Sequence, residues 1–151
     1  MEQNHVFPKN IFLADDDLDD CDFFSEAITE INDRVTVKML HDGKALLTEL
    51  QKSPEIYPDL IFLDLNMPIM DGAECLSAIR NNQLYAKSPV IMMSTSKADS
   101  DVDMVFKLGA NRFITKPNNF NDLKAVIEKI MKTDWVRHFS LPSKENFVLT
   151  P

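Results

Sequence analysis

Five side chains that could do chemistry stand where short apolar runs of the sequence end. They are Asp15, Asp16, Asp64, Ser94 and Lys116. Carboxylates that are packed together repel each other, so such a group needs a compensating cation, and oxygen ligands favour a hard ion such as Mg²⁺. One carboxylate can then act as a nucleophile toward a phosphoryl group. The lysine and the hydroxyl are suited to bind the phosphoryl oxygens, whose charge has to be stabilised during transfer.

The apolar runs that precede these side chains are predicted to be buried strands. The predicted strands cover residues 11–14, 35–40, 60–64, 90–94 and 112–116. A helical spacing of apolar residues follows each strand, and it is clearest in the last helix, at Leu123, Val126, Ile127, Ile130 and Met131. Five strands that alternate with five helices indicate an α/β fold with a parallel sheet covered on both faces. Because the carboxyl ends of parallel strands share one edge, the side chains named above are expected to converge in one crevice.

The composition favours a single domain and argues against a surface that binds nucleic acid or an anionic membrane. The chain has 151 residues, 44% hydrophobic content and a formal net charge of −8. Such a chain lacks the clustered Lys and Arg that nucleic acid or an anionic membrane surface requires. The sequence begins without a signal-peptide pattern, and no apolar run is long enough to span a bilayer. Cys21 and Cys75 form no metal or redox motif, so a reducing cytoplasm is expected.

Four motifs that occur in a fixed order are typical of one protein family. They are Leu-Ala-Asp-Asp-Asp at 13–17, Leu-Asp-Leu-Asn-Met-Pro-Ile-Met-Asp-Gly at 63–72, Ser-Thr at 94–95 and Thr-Lys-Pro at 115–117. With these motifs the chain resembles a response-regulator receiver domain of bacterial two-component signalling, over roughly residues 9–133. The resemblance implies a flavodoxin-like, doubly wound sheet of five parallel strands in the order 2-1-3-4-5, with five helices. The predicted receiver domain is 1–133, and 134–151 is a short C-terminal extension that is not an independent domain.

The resemblance also implies a role for each acidic residue of the crevice. Asp64 matches the phosphoacceptor. Asp16 matches the carboxylate that binds the metal directly, and Asp15 matches the one that acts largely through a metal-bound water. Asn66 matches the position whose backbone carbonyl completes the metal site, which is expected to hold Mg²⁺.

Three further positions match residues that bind the phosphoryl group and report its presence. Ser94 matches the hydroxyl that turns toward the phosphoryl group, and Lys116 matches the lysine that pairs with it. Phe113 matches an aromatic switch position that moves inward when the hydroxyl is drawn to the phosphate, although ordinary core packing explains this residue equally well. The bond between Lys116 and Pro117 is usually cis in this family.

The resemblance implies a signalling protein rather than a turnover enzyme. The expected phosphodonor is a sensor histidine kinase or a histidine phosphotransfer protein. The expected output is contact with a downstream protein target, because residues 134–151 are too short for an output domain. A monomer or a weak homodimer is expected.

Two functions of other classes compete with this one. A phosphatase with an Asp nucleophile usually carries a second Asp two residues later as general acid, and this chain has Asn66 there. A receiver-like module that binds partners without being phosphorylated would not need the five site residues. The intact set of five therefore argues against it.

The acidic residues that follow the first motif are interpreted as solvated. Asp19, Asp20 and Asp22 are assigned to the exposed start of a helix, where negative charge suits the helix dipole. The extension, in contrast, is not polar throughout. Because apolar groups are disfavoured in open solvent, we expect it to dock on its own domain or to pair with a partner chain. Its apolar residues are Trp135, Phe139, Leu141, Phe147, Val148 and Leu149.

Overall fold

A parallel sheet forms the centre of the protein in the computed structural model, which describes residues 8–52, 57–96, 98–135 and 142–151. Its strands are β1 (Asn10–Ala14), β2 (Thr36–Leu40), β3 (Leu60–Asp64), β4 (Val90–Ser94), β5 (Arg112–Thr115) and β6 (Val148–Leu149). They lie in the order β2-β1-β3-β4-β5-β6, and every neighbouring pair is parallel. The first five strands therefore have the predicted order, and the predicted flavodoxin-like class is confirmed.

Helices connect the strands and cover both faces of the sheet. They are α1 (Leu18–Ile31), α2 (Gly43–Lys52), α3 (Gly72–Asn81), α4 (Asp99–Lys107) and α5 (Phe120–Met131). Asp17, Asp71 and Asn119 cap α1, α3 and α5, and each side chain accepts a hydrogen bond from a first-turn amide. These caps satisfy amides that the start of a helix leaves unpaired.

Successive residues of the central strands point into opposite layers of the core. In β3, Ile61 and Leu63 face the layer that contains α2, α3 and α4, whereas Leu60 and Phe62 face the layer that contains α1 and α5. Every residue of β3 and β4 is buried. This two-sided burial explains why both strands read as continuous apolar runs. Their parallel pairing places both carboxyl ends at one edge.

The sheet has one strand more than predicted, because the described part of the C-terminal extension adds β6 beside β5. The Phe113 amide donates a hydrogen bond to the Phe147 carbonyl at 2.9 Å. The Phe147 side chain is buried, and its ring centroid lies 5.1 Å from that of Phe106 and 6.3 Å from that of Phe113. The prediction of five strands was therefore wrong in its count, since burial of this aromatic ring anchors a strand of only two residues.

Other contacts of the extension agree with docking on its own domain. Trp135 is buried, and its indole N–H donates to the Ile130 carbonyl at 2.9 Å. Lys144 pairs with Asp103 of α4 at 3.1 Å. Of the apolar residues predicted to dock, Phe139 and Leu141 lie outside the described residues.

Candidate functional site

Lys116 joins strand ends and the start of α1 through three ion pairs. Its Nζ lies 2.7 Å from Asp15 Oδ2, 2.9 Å from Asp20 Oδ2 and 3.1 Å from Asp64 Oδ2. Asp15 follows β1, Asp64 ends β3, Lys116 follows β5, and Asp20 lies in the first turn of α1. The side chains of Asp15 and Asp64 are 2% and 7% exposed, and that of Lys116 is 15% exposed. Parallel topology has thus brought residues that are far apart in sequence to one sheet edge.

Local hydrogen bonds orient the two buried carboxylates. Asp15 Oδ1 accepts from the Asp17 amide at 3.0 Å, and Asp64 Oδ1 accepts from the Asn66 amide at 3.2 Å. Both bonds join a carboxylate to the amide two residues later, which is a turn that Asp side chains favour. In each residue the turn holds one oxygen, and the other oxygen faces Lys116.

Asp15, Asp16 and Asp64 form a group that could hold a metal ion. One carboxylate oxygen from each residue lies within 4.8 Å of the others, and Asp16 is exposed whereas its two neighbours are buried. Three carboxylate oxygens are hard ligands of the kind that Mg²⁺ and Mn²⁺ prefer. The residues present therefore fit a divalent cation.

Asn66, whose amide contacts the Asp64 carboxylate, also lies beside Ser94. Ser94 is buried at the end of β4, where its Oγ accepts from the Ser96 amide at 3.0 Å. Asn66 Nδ2 lies 3.5 Å from the same oxygen. The predicted switch residue Phe113 is also fully buried, on the neighbouring strand β5. The Asn66 side chain therefore links the Ser94 hydroxyl to the turn that follows Asp64, and the Phe113 ring lies in the core on the neighbouring strand.

Burial controls the electrostatics of the acidic cluster. It raises the pKa of Asp64 to about 6, a shift that Lys116 opposes and the Asp15 charge reinforces. Burial alone would lower the pKa of Lys116, but its hydrogen bonds to Asp15 and Asp20 outweigh that effect and raise the pKa. The lysine therefore stays charged and offsets part of the repulsion among the carboxylates.

The loop after Asp64 folds back tightly against the end of β3. The Gly72 amide donates to the Leu65 carbonyl at 2.8 Å, and a Cβ at Gly72 would collide with the Asp64 carbonyl oxygen. Only glycine lets the start of α3 approach the strand this closely. At the tip of the loop, Ile69 has a φ of 70° and is 77% exposed, a strained conformation for a β-branched residue.

Asp20 is the site residue that the sequence interpretation missed. The sequence pattern places it at a solvated helix start, but its carboxylate contacts Lys116 at 2.9 Å. The signal was helical spacing: Asp20 precedes Phe24 by four residues and adjoins Cys21, and both of these are buried. Asp19 and Asp22, in contrast, are exposed as expected.

One expectation about the backbone of the site was wrong. The resemblance implied a cis bond between Lys116 and Pro117, but the described residues contain no cis peptide bond. The Lys116 ammonium reaches the acidic cluster with this bond in the trans form.

The fold and the site define a class of protein: a flavodoxin-like domain with an acidic, lysine-bridged crevice at the carboxyl edge of its sheet. The family model described as the response regulator receiver domain matches residues 11–128. The chain belongs to this family of two-component signalling proteins, whose receiver domains have a phosphoacceptor function.

A curated relative matches nearly the whole chain. The response regulator Rcp1 of Synechocystis sp. is 32% identical over 140 residues, which cover 90% of this chain and 95% of the relative. The similarity therefore extends beyond the residues that the family model matches.

Solved structures of similar proteins have the same fold. The phosphorylated cyanobacterial phytochrome response regulator RcpA superimposes with a TM-score of 0.77 at 32% identity, covering 89% of this chain and 99% of that one. The Mn²⁺-bound form of response regulator Rcp1 superimposes with a TM-score of 0.75 at 31% identity, covering 90% and 100%. Among the described residues of the present chain, no helix has the length and apolar character needed to cross a membrane.

Proposed function

We propose that Asp64 is the phosphoacceptor of this receiver domain. The observation that carries the proposal is the Lys116 ammonium, which lies 3.1 Å from a nearly buried Asp64 carboxylate in a crevice lined by two further acids. A carboxylate in this setting can attack phosphorus, and the lysine can stabilise the charge on the transferred group. Ser94 supplies a hydroxyl to another phosphoryl oxygen.

Asp15, Asp16 and Asp64, with the backbone carbonyl of Asn66, are the proposed ligands of Mg²⁺. The ion, when bound, supplies positive charge that offsets the carboxylates and the incoming phosphoryl oxygens. The protein's own residues orient the acceptor: the Asn66 amide holds one oxygen of Asp64, and Lys116 holds the other. The close packing of Gly72 on the end of β3 holds the backbone of this turn in place.

Ser94 and Phe113 are the proposed switch. Ser94 Oγ accepts a hydrogen bond from the Ser96 amide at the end of β4, and its O–H can donate to a phosphoryl oxygen on Asp64 when the side chain turns toward it. Phe113 is buried on the adjacent strand and borders Phe147 of the extension. Movement of the hydroxyl would change packing between α4 and β5, which is the kind of two-state element that transmits a phosphorylation signal.

The proposed phosphodonor is a sensor histidine kinase or a histidine phosphotransfer protein, and the proposed output is contact with a downstream protein. Receiver domains take phosphoryl groups from histidine kinases. Because a similar protein is a phytochrome response regulator, a kinase of the phytochrome class is the first donor to test. The domain would catalyse its own phosphorylation and dephosphorylation while acting as a signalling protein.

Intact mass after incubation with acetyl phosphate and Mg²⁺ tests the proposal. The Asp64 oxygen forms a bond to phosphorus as the bond to the acetyl oxygen breaks, and acetate leaves with the electron pair. We expect one added phosphate on the wild type and on Asp22→Asn, an exposed control on α1, and none on Asp64→Asn. No adduct would contradict the proposal and favour a module that binds without phosphorylation. Rapid turnover of many phosphate esters would instead favour a phosphatase.

A further inference from the structure

All three N–H bonds of the Lys116 ammonium have carboxylate acceptors. An ammonium offers three donors, and the three acceptor oxygens belong to Asp15, Asp20 and Asp64 at 2.7, 2.9 and 3.1 Å. A phosphoryl group on Asp64 needs a donor from the same lysine. One of the three present hydrogen bonds therefore has to be released when the phosphoryl group arrives.

The hydrogen bond to Asp20 is the one that is released at least cost. Asp15 is nearly buried, and the Asp17 amide holds its second oxygen. Asp64 is the acceptor itself. The Asp20 side chain is 40% exposed, so water can replace the lysine around its carboxylate, as at other exposed ion pairs.

We infer that Asp20 is a positioning residue that holds Lys116 toward α1 and thereby slows phosphorylation of Asp64. The inference rests on the proposed function. During transfer, the Lys116 N–H exchanges its Asp20 acceptor for a phosphoryl oxygen, and no proton leaves the nitrogen. The new bond from an Asp64 oxygen to phosphorus forms while the bond from phosphorus to the leaving group breaks, with the electron pair going to the leaving group.

The charge of Asp20 acts in the same direction as its hydrogen bond. Its carboxylate shares a lysine with Asp64, so it lies close to the path of an anionic phosphoryl group and repels it. Asp19 lies in the same first turn of α1 and contributes similarly to the helix dipole. It is not among the carboxylates found within ion-pair distance of Lys116 in the described residues. Asp19→Asn is therefore a matched control with the same change of charge.

The rate of phosphorylation by acetyl phosphate in Mg²⁺ tests the inference. We expect Asp20→Asn to be phosphorylated about two to five times faster than the wild type, which is the range that release of one partly exposed ion pair allows. Asp19→Asn should stay within about twofold. The acceleration should persist at high salt, since salt screens distant charges more than it affects a direct contact. Thermal unfolding of each variant is the control that tests whether the fold is retained.

A double-mutant cycle separates an effect through Lys116 from any other effect of Asp20. With Lys116→Met as the background, Asp20→Asn should accelerate the residual rate less than it accelerates the wild type, because only the charge repulsion of Asp20 is then relieved. Equal acceleration by Asp19→Asn, a rate for Asp20→Asn that is unchanged or lower, or an acceleration as large in the Lys116→Met background as in the wild type would each overturn the inference. An absence of adduct on the wild type would instead overturn the proposed function on which the inference rests.

Discussion

Lys116 contributes the positive charge that stabilises the carboxylates of the site before phosphorylation. Its ammonium compensates three carboxylates, two of which are nearly buried. Compensation is incomplete, because burial still raises the pKa of Asp64 to about 6. The ionised form of Asp64 therefore opposes folding at neutral pH when no metal is present.

Replacement of Asp64 by Asn should stabilise the metal-free protein. The pKa of Asp64 is raised from its ordinary value of 3.8 to about 6 in the folded protein. Asp64 therefore does not lower the free energy of unfolding below pH 3.8, and its full destabilising effect is reached once the pH has risen through about 6. We expect Asp64→Asn to raise the free energy of unfolding by about 1–3 kcal/mol at pH 8, and by less at pH 5. Urea unfolding in EDTA at pH 8 and at pH 5 measures the two changes in the free energy of unfolding. A variant less stable than the wild type at pH 8 would contradict this expectation, and Asp22→Asn is the exposed control.

Relief of the strained backbone at Ile69 should also stabilise the protein. This residue has a φ of 70° and no burial to compensate for the strain, and Asn tolerates such a conformation better than a β-branched side chain. We expect Ile69→Asn to add about 1 kcal/mol to the free energy of unfolding. Leu84→Asn serves as control, because Leu84 is exposed in a turn with φ in the ordinary range. Equal effects of the two substitutions would show that removing an exposed apolar group, rather than strain, is responsible.

At the scale of elements, β6 closes the edge of the sheet that β5 would otherwise present. Phe147 supplies the packing, between Phe106 of α4 and Phe113 of β5. A salt bridge between Lys144 and Asp103 is a second contact between the extension and α4. The extension is therefore coupled to the same elements that the proposed switch would move.

Truncation of Phe147 should loosen β6 and lower stability. We expect Phe147→Ala to cost about 3–5 kcal/mol, as is usual for a buried phenylalanine, and to speed hydrogen exchange at the Phe113 amide, which donates to the Phe147 carbonyl. Urea unfolding and amide exchange measure the two effects. Val148→Ala should change stability far less, because Val148 is 41% exposed. Similar losses from both variants would mean that the ring does not anchor the strand.

At the scale of the whole molecule, an acidic chain concentrates negative charge at one sheet edge. The formal net charge is −8, and three carboxylates of the crevice lie within reach of one ion. Anything that binds this edge only in the folded state raises the stability of the entire domain.

Mg²⁺ should therefore raise the unfolding temperature in a pH-dependent way. At a hundred times the dissociation constant, the gain is about 2.7 kcal/mol. Because a proton on Asp64 competes with the metal, the gain should be full at pH 8 and should fall as pH drops through about 6. Thermal scans with and without Mg²⁺ at pH 5.5 and 8 measure this gain in stability. Asp16→Asn should weaken the gain and Asp19→Asn should not; a gain that is independent of pH would rule out the carboxylate ligands.

Much of this protein was predictable from local sequence. Each central strand appears in the sequence as an apolar run, and the residue that ends the run lies at the carboxyl end of the strand. The apolar runs, together with the helices that alternate with them, are enough to assign Asp64, Ser94 and Lys116 to one edge of the sheet. The carboxyl ends share one edge because every neighbouring pair of strands is parallel.

The tertiary structure alone decided two features, for the same physical reason. Helical spacing places Asp20 near the buried side of α1, but only the packing of α1 on the sheet sets its carboxylate 2.9 Å from Lys116. The two-residue strand β6 is too short to carry a periodic pattern, and Phe147 finds its partners Phe106 and Phe113 only after the sheet has formed. Both features depend on contacts between residues that are distant in sequence. Such contacts form only when the elements pack together, so a local sequence pattern does not predict them.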